Sequence, residues 1–152
     1  MRAIRAFLVA RIFFLTTHDE AQMAHSKIAL DIASNWTHYE DEQKRILADL
    51  KGAKVLLNYS EYEGYEGYAM VLYEKDGKLF ETSGSHCSCN RFEGQWSSEE
   101  TSLEALYMRN CWQPGLQAQL AAACMHAKSR RTRRENKAKA ARNLGAVAEA
   151  MS

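Results

Sequence analysis

The segment from Gly84 to Cys89 reads Gly-Ser-His-Cys-Ser-Cys, and it concentrates side chains that could do chemistry. Thiolates and imidazoles bind zinc, and a thiolate beside a base is a nucleophile. Trp96 follows a few residues downstream. The candidate functional cluster, called here the thiol cluster, is Ser85, His86, Cys87, Ser88, Cys89 and Trp96.

A metal site is the first interpretation of the thiol cluster. Cys87 and Cys89 would point to the same side of an extended chain, so both could bind one ion. Cys111 and either His86 or His126 would complete a tetrahedron. The spacing differs from the paired Cys-x-x-Cys pattern of zinc fingers and ribbons. No cofactor is therefore the default expectation, and zinc is the metal that such a site would hold.

A nucleophilic cysteine is the second interpretation, and it needs a base within hydrogen-bonding distance. His86 is next to Cys87, but neighbouring residues of a strand point to opposite faces. The base would therefore have to be another histidine brought in by the fold. The remaining histidines are His18, His25, His38 and His126.

A structural role is the third interpretation, and the sequence favours it. In this case Ser85, His86 and Ser88 satisfy backbone groups where the strand turns. Cys87 and Cys89 would then be small buried hydrophobic residues beside Trp96.

The chain has 152 residues with 46% hydrophobic content, which is enough for one good core. Its four cysteines accompany neither a clear secretory signal nor a small disulfide framework, so reduced thiols and a cytoplasmic location are expected. We predict three parts: an N-terminal extension at 1–22, one domain at 23–127 and a basic helical tail at 128–152.

The first 22 residues resemble a signal peptide only superficially, because Arg11 interrupts the apolar run and the run is too short to cross a membrane. A short membrane-surface or buried helix and a weak signal remain alternatives. We favour a segment upstream of the true start, because Met23 begins an ordinary soluble sequence. No membrane association is expected.

The formal net charge of +1 hides a strong asymmetry. Residues 19–107 carry 8 basic and 17 acidic side chains, whereas residues 108–152 carry 9 basic and 2 acidic ones. The candidate nucleic-acid-binding residues of the tail are Lys128, Arg130, Arg131, Arg133, Arg134, Lys137, Lys139 and Arg142. Such a run favours a polyanion as partner. A solvated helix end, an acidic groove on a partner protein and the chain's own acidic helix face are the alternatives.

The apolar spacing between Ser26 and Gly52 predicts one long amphipathic helix whose outer face carries Glu40, Asp41 and Glu42. An antiparallel sheet of about three strands should follow, at 54–60, 68–73 and 79–84. Two C-terminal helices complete an α+β fold.

Two turn and capping signals refine this prediction. Asp76-Gly77 favours a type I′ hairpin that pairs Lys75 with Lys78. Ser97 and Glu100 form a capping box that would start the next helix. That helix would bury Leu103, Leu106 and Tyr107, and the last helix would bury Leu116, Leu120, Ala123, Cys124 and Ala127.

The Gly-Ser-His-Cys-Ser-Cys core, with Gln95-Trp96 and Glu99-Glu100-Thr101 after it, resembles a group of small bacteriophage and prophage proteins without an assigned activity. The resemblance covers about residues 52–109. It implies a phage accessory protein that acts inside a bacterial host cell, and it carries over no catalytic residue.

These observations favour a non-enzymatic protein that binds a host or phage macromolecule, such as a host or phage protein. The basic tail adds nucleic acid as a further partner. The alternative is a small thiol- or metal-dependent enzyme centred on His86, Cys87 and Cys89.

Overall fold

A computed structural model describes residues 23–87, 91–109 and 114–150, without the side chains of residues 114, 145 and 147–150. The predicted N-terminal extension, 1–22, lies outside the described residues. The elements are α1 (23–36), α2 (Glu40–Leu50), β1 (Lys54–Glu63), β2 (Glu66–Lys75), β3 (Lys78–His86), β4 (Glu99–Thr101), α3 (Leu103–Met108) and α4 (Pro114–Ala150). This order confirms the α+β class.

The described part of the chain forms two compact units, divided between Glu99 and Glu100. The first contains α1, α2 and β1 to β3, and the second contains α3 and α4. α4 runs from Pro114 to Ala150 without a break at residue 128, so a separate role for the segment beyond 128 stays a prediction. None of the described helices combines the length and apolar character that crossing a membrane requires.

The prediction of a single long N-terminal helix was wrong, because the chain forms two helices separated by residues 37–39. The start was wrong too, since Ser26 already lies inside α1. Thr37 causes the break: its Oγ1 accepts a hydrogen bond from the backbone N–H of Tyr39 at 3.1 Å. The side-chain amide of Gln43 donates to the Thr37 carbonyl at 2.8 Å. A threonine that satisfies nearby backbone groups offers the chain an alternative to the helix ladder.

The inner faces of α1 and α2 bury Ile32, Trp36, Ile46 and Leu50, as the apolar spacing predicted. Glu42 is a correction, because it was expected on the solvated face and is buried. Its Oε1 accepts a hydrogen bond from the backbone N–H of Gly94 at 2.9 Å. A buried carboxylate needs such a partner.

The sheet has four antiparallel strands in the order β1-β2-β3-β4, one more than the approximate number predicted. The hairpin register is confirmed throughout, since Lys75 pairs with Lys78 and the pairs Tyr73–Phe80, Val71–Thr82 and Ala69–Gly84 follow. Asp76 and Gly77 have φ angles of 52° and 79°, the positive values that a type I′ turn requires.

The pairing of β1 with β2 shifts between Val55 and Leu57, which inserts one extra residue. Residues two apart in a regular strand share a face, but the bulge places these two on different faces. Val55 pairs with Tyr73 and packs on the core cluster. Leu57 pairs with Leu72, and both are buried.

The core cluster of the first unit lies between the two helices and one face of the sheet. Its buried members are Ile32, Ala33, Trp36, Ile46, Leu50, Ala53, Ala69, Val71, Tyr73 and Phe92. Phe80 and Trp96 pack against it while partly exposed. Phe92 is 0% exposed although it belongs to the connection after β3, so this connection forms part of the core.

The predicted helix start at Ser97 was wrong, because Glu99–Thr101 forms the short strand β4. The cap of α3 is Ser102, whose Oγ accepts a hydrogen bond from the N–H of Ala105 at 3.1 Å. Only Leu106 of α3 is buried, whereas Tyr107 is 51% exposed, contrary to expectation. In α4 the predicted buried residues are confirmed, namely Leu116, Leu120, Ala123, Cys124 and Ala127.

Candidate functional site

His86 ends β3 and pairs with Gly67 of β2. A Cβ built on Gly67 would lie 2.2 Å from His86 Nε2, so the imidazole occupies the space that any larger residue at 67 would need. The ring centroid lies 4.9 Å from that of Phe92, edge to face, and 5.5 Å from that of Tyr62. His86 is therefore held in an aromatic pocket of the first unit.

The two ring nitrogens of His86 have different surroundings. Nδ1 lies 3.0 Å from the carbonyl oxygen of Cys87, a distance that fits a hydrogen bond to that oxygen. Nε2 is buried, and no partner for it is found among the described residues. A donating Nδ1 would leave Nε2 as the unprotonated acceptor nitrogen. This contact joins His86 to the backbone of Cys87 and does not form a thiol–imidazole pair.

The side chain of Gln95 links the connection after β3 to the backbone of β3 through two hydrogen bonds. Its side-chain amide donates to the carbonyl of Ser85 at 2.8 Å, and its Oε1 accepts from the Ser85 N–H at 3.0 Å. The amide thus pairs with both backbone groups of Ser85, as a neighbouring strand would. Gln95 belongs to the sequence motif, but this role could not be predicted, because the two residues are ten positions apart and meet only when the chain turns back.

Gly84 explains why the motif starts with glycine. A Cβ at this position would meet Phe92 Cδ1 at 3.1 Å, Trp36 Cζ2 at 3.2 Å and Gln95 Oε1 at 3.2 Å. The rings of Phe92 and Trp36 and the side chain of Gln95 therefore fill the space beside Gly84.

Trp96 also has a structural position. Its Nε1 donates a hydrogen bond to Asp49 Oδ2 of α2 at 2.8 Å. Its ring lies edge to face on Trp36 with centroids 5.0 Å apart. These contacts tie the connection after β3 to α2.

Cys87 is exposed, which corrects the expectation that it is a buried hydrophobic residue. Ser88, Cys89 and Cys111 lie outside the described residues. Across 23–87, 91–109 and 114–150, no group of three or more His, Cys, Asp and Glu side chains could hold a metal ion. The zinc site through Cys87, Cys89, Cys111 and His86 stays a prediction, since two of its ligands are not described.

Strands β1 and β2 extend beyond the predicted ends at residues 60 and 68 and leave a tight turn at Gly64 and Tyr65. The Tyr62 hydroxyl donates to Asn35 Oδ1 at 3.0 Å, which fastens β1 to α1. The Tyr59 hydroxyl donates to the Glu61 carboxylate, and this hydrogen bond raises the pKa of Tyr59 to about 12. This hairpin is thus tied to its own unit.

The basic segment, defined as residues 128–142 of α4, has a different character. Every residue of the helix from 131 to 144 is exposed, fourteen in succession. Its eight cations accompany one acid, Glu135, whose Oε1 accepts a hydrogen bond from Arg131 Nε at 3.0 Å. At about 1.5 Å per residue the segment is about 22 Å long.

The cations of the basic segment form two stripes, because residues at three- and four-residue intervals share a helix face. One stripe is Arg130, Arg133, Arg134 and Lys137, which contains no acid. The opposite stripe is Lys128, Arg131, Lys139 and Arg142, interrupted by Glu135. A polyanion could therefore be met from either side of the helix.

No protein-family model, no curated protein and no solved structure matches the chain. The resemblance to small phage proteins stays a prediction based on the motif around the thiol cluster. The assignment of function therefore depends on the chemistry of the two regions described above.

Proposed function

We propose that this chain is a non-enzymatic phage accessory protein that binds nucleic acid through the basic segment of α4, without sequence preference. The observation that carries the proposal is the exposure of a helix with eight cations and one acid within fifteen residues. The thiol cluster gives weaker support to the alternative function, a thiol- or metal-dependent enzyme. His86 contacts the backbone of Cys87, and Trp96 and Gln95 have structural partners.

The physical reason is electrostatic. Cations on a helix with few acids repel one another, and phosphates relieve this repulsion. Nucleic acid also releases condensed counterions when lysine and arginine neutralise its phosphates, so binding gains entropy at low salt. The basic segment contains no aromatic residue, so base stacking adds little to its binding, and contacts of its cations with phosphates carry no sequence information.

Salt dependence tests the proposal directly. Binding of the full chain to a labelled 20-base-pair duplex, measured by fluorescence anisotropy, should weaken with salt. If roughly five to seven phosphates are neutralised, the slope of log K against log salt is about −4 to −6. The triple variant Arg133→Gln, Arg134→Gln and Lys137→Gln should reduce this slope by about 3, since each lost phosphate contact removes about 1.

The matched control removes three cations from the first unit, through Lys27→Gln, Lys44→Gln and Lys51→Gln. Both variants lose three positive charges, so they have the same net charge. The three lysines are exposed, so their replacement removes no buried contact. The control should keep the parental slope. Equal loss in both variants would assign the effect to net charge, and absence of binding by the parent chain to both duplex and single-stranded nucleic acid would overturn the proposal.

A further inference from the structure

A groove lies between α3 and α4 within the second unit, with a volume of about 520 Å³. Its walls include Leu103, Tyr107 and Met108 of α3 and Lys128, Arg131 and Glu135 of α4. The three α4 residues belong to the helix stripe that carries Lys139 and Arg142 further along. The groove therefore opens beside the start of the basic segment.

The aromatic wall of the groove is Tyr107. Although α3 packs against α4 and buries Leu106 to 2% exposure, Tyr107 is 51% exposed and Met108 is 82% exposed. Tyrosine gives a flat, rigid surface on which a nucleobase can stack. The sequence places no aromatic residue in the basic segment, but the fold brings one to its edge.

The opposite wall supplies positive charge. Lys128 and Arg131 are one turn apart on α4 and both line the groove. Glu135 accepts from Arg131 Nε at 3.0 Å, which holds the guanidinium beside the groove. The carboxylates of Glu104 and Glu135 also line the groove and disfavour a second phosphate there. An occupant therefore needs an aromatic part and one nearby anionic part, which is the chemistry of a nucleotide.

We propose that this groove binds one unpaired nucleotide, with its base stacked on Tyr107 and its phosphate near Lys128 and Arg131. A paired base is stacked inside the duplex and cannot enter the groove, whereas a base in a single strand can be splayed out. The protein accordingly prefers single-stranded nucleic acid over duplex. This inference rests on the proposed function and adds its substrate class.

The experiment compares a labelled single strand of twelve nucleotides with the duplex of the same sequence, at one fixed salt concentration. The full-length parent should bind the single strand more tightly. Tyr107→Ala should weaken single-strand binding by about 5- to 150-fold, the range expected for loss of one base stack. Tyr107→Phe keeps the ring and should bind the single strand like the parent, and neither variant should change duplex affinity.

Tyr65→Ala is the matched control, since Tyr65 is 80% exposed and belongs to the first unit. It should change neither affinity. Unchanged single-strand binding by Tyr107→Ala, or equal loss of single-strand and duplex binding, would overturn the groove as a base site. Parent protein that binds duplex and single strand equally would contradict the single-strand preference alone. Parent protein that binds neither would instead contradict the proposed function.

Discussion

The imidazole of His86 lies against Gly67 and occupies space that is open only because residue 67 has no side chain. The Cβ of an alanine at 67 would lie 2.2 Å from His86 Nε2 and 2.7 Å from Cδ2. We expect Gly67→Ala to reduce the free energy of unfolding by about 1–3 kcal/mol, the usual cost of overpacking. Urea unfolding measures this change.

A double-mutant cycle is the control for this prediction. In the His86→Ala background the space above residue 67 is open, so Gly67→Ala should be neutral, or stabilising by about 0.4–1 kcal/mol because alanine restricts the unfolded chain. The coupling between the two substitutions should then exceed about 1 kcal/mol. Additive effects would show that the imidazole does not occupy this space.

The cysteines give a second prediction about single residues. Cys87 is exposed, whereas Cys124 is buried and desolvation raises the pKa of its thiol. Since the thiolate is the reacting form, a short iodoacetamide pulse at neutral pH should label Cys87 and leave Cys124 unlabelled until the protein is unfolded. Peptide mass spectrometry after the pulse identifies the labelled residues. Fast labelling of Cys124 in the folded protein would contradict its burial.

Metal analysis of the same protein, purified without chelator, extends this test to the zinc hypothesis. We expect less than stoichiometric zinc. About one equivalent of zinc that is lost in both Cys87→Ser and Cys89→Ser would show that the thiol cluster binds metal.

Predictions for single residues were correct where local backbone geometry determines a residue's position, and wrong where a contact with a residue distant in sequence determines it. The pairing of Ala69 with Gly84 followed from the Asp76-Gly77 turn alone, because the strand period is two. The burial of Glu42 was missed, since its partner Gly94 is 52 residues away. Position on the helix face could not reveal that contact.

At the scale of elements, the break between α1 and α2 depends on Thr37, which is fully buried. Its Oγ1 accepts the N–H of Tyr39, so removal of the hydroxyl should cost about 0.5–2 kcal/mol, as loss of a helix cap does. We expect Thr37→Val, which keeps the side-chain volume, to show this loss in urea unfolding. Thr37→Ser, which keeps the acceptor, should retain most of the stability. Equal losses would indicate that packing of the methyl group, not the hydroxyl, stabilises the break.

The fold class could be predicted from the sequence, but two boundaries could not: the break between α1 and α2, and the start of the helix predicted at Ser97. Apolar spacing continues from Ile32 to Leu50 across the break, so periodicity alone favours one helix. Ser97 to Glu100 has the letters of a capping box, but Glu99–Thr101 adds to the sheet as β4 and Ser102 caps α3 instead. A local side-chain hydrogen bond of Thr37 interrupts the helix in the first case, and strand pairing overrides the local capping signal in the second.

The two regions of opposite charge in the chain coincide with different kinds of structure. The acidic region, residues 19–107, includes the first unit with its packed core, whereas the net positive charge after residue 108 lies on a helix that is mostly exposed beyond Ala127. This separation was visible in the sequence. The position of Tyr107 beside Lys128 was not, because it depends on how α3 packs against α4.

Residues 1–22 lie outside the described part of the chain. The first unit already has a core formed by α1, α2 and the sheet, with Ile46 and Phe92 fully buried. If the N-terminal segment adds nothing to this core, a chain that starts at Met23 should unfold at the same temperature as the full chain within error.

A lower unfolding temperature of the shortened chain would have a structural explanation in the first unit. A cavity of about 420 Å³ is lined by apolar residues of both helices, such as Ala29, Leu30 and Leu47, and also by the polar residues His25, Ser26, Lys51 and Lys54. The N-terminal run contains large apolar residues that could fill it, namely Phe7, Leu8, Ile12 and Phe13. A fall of several degrees in the unfolding midpoint of the shortened chain would show that they pack on the core. Leu30→Ser in the full chain distinguishes the two cases, since it should be nearly neutral if the cavity is solvated and destabilising if apolar side chains fill it.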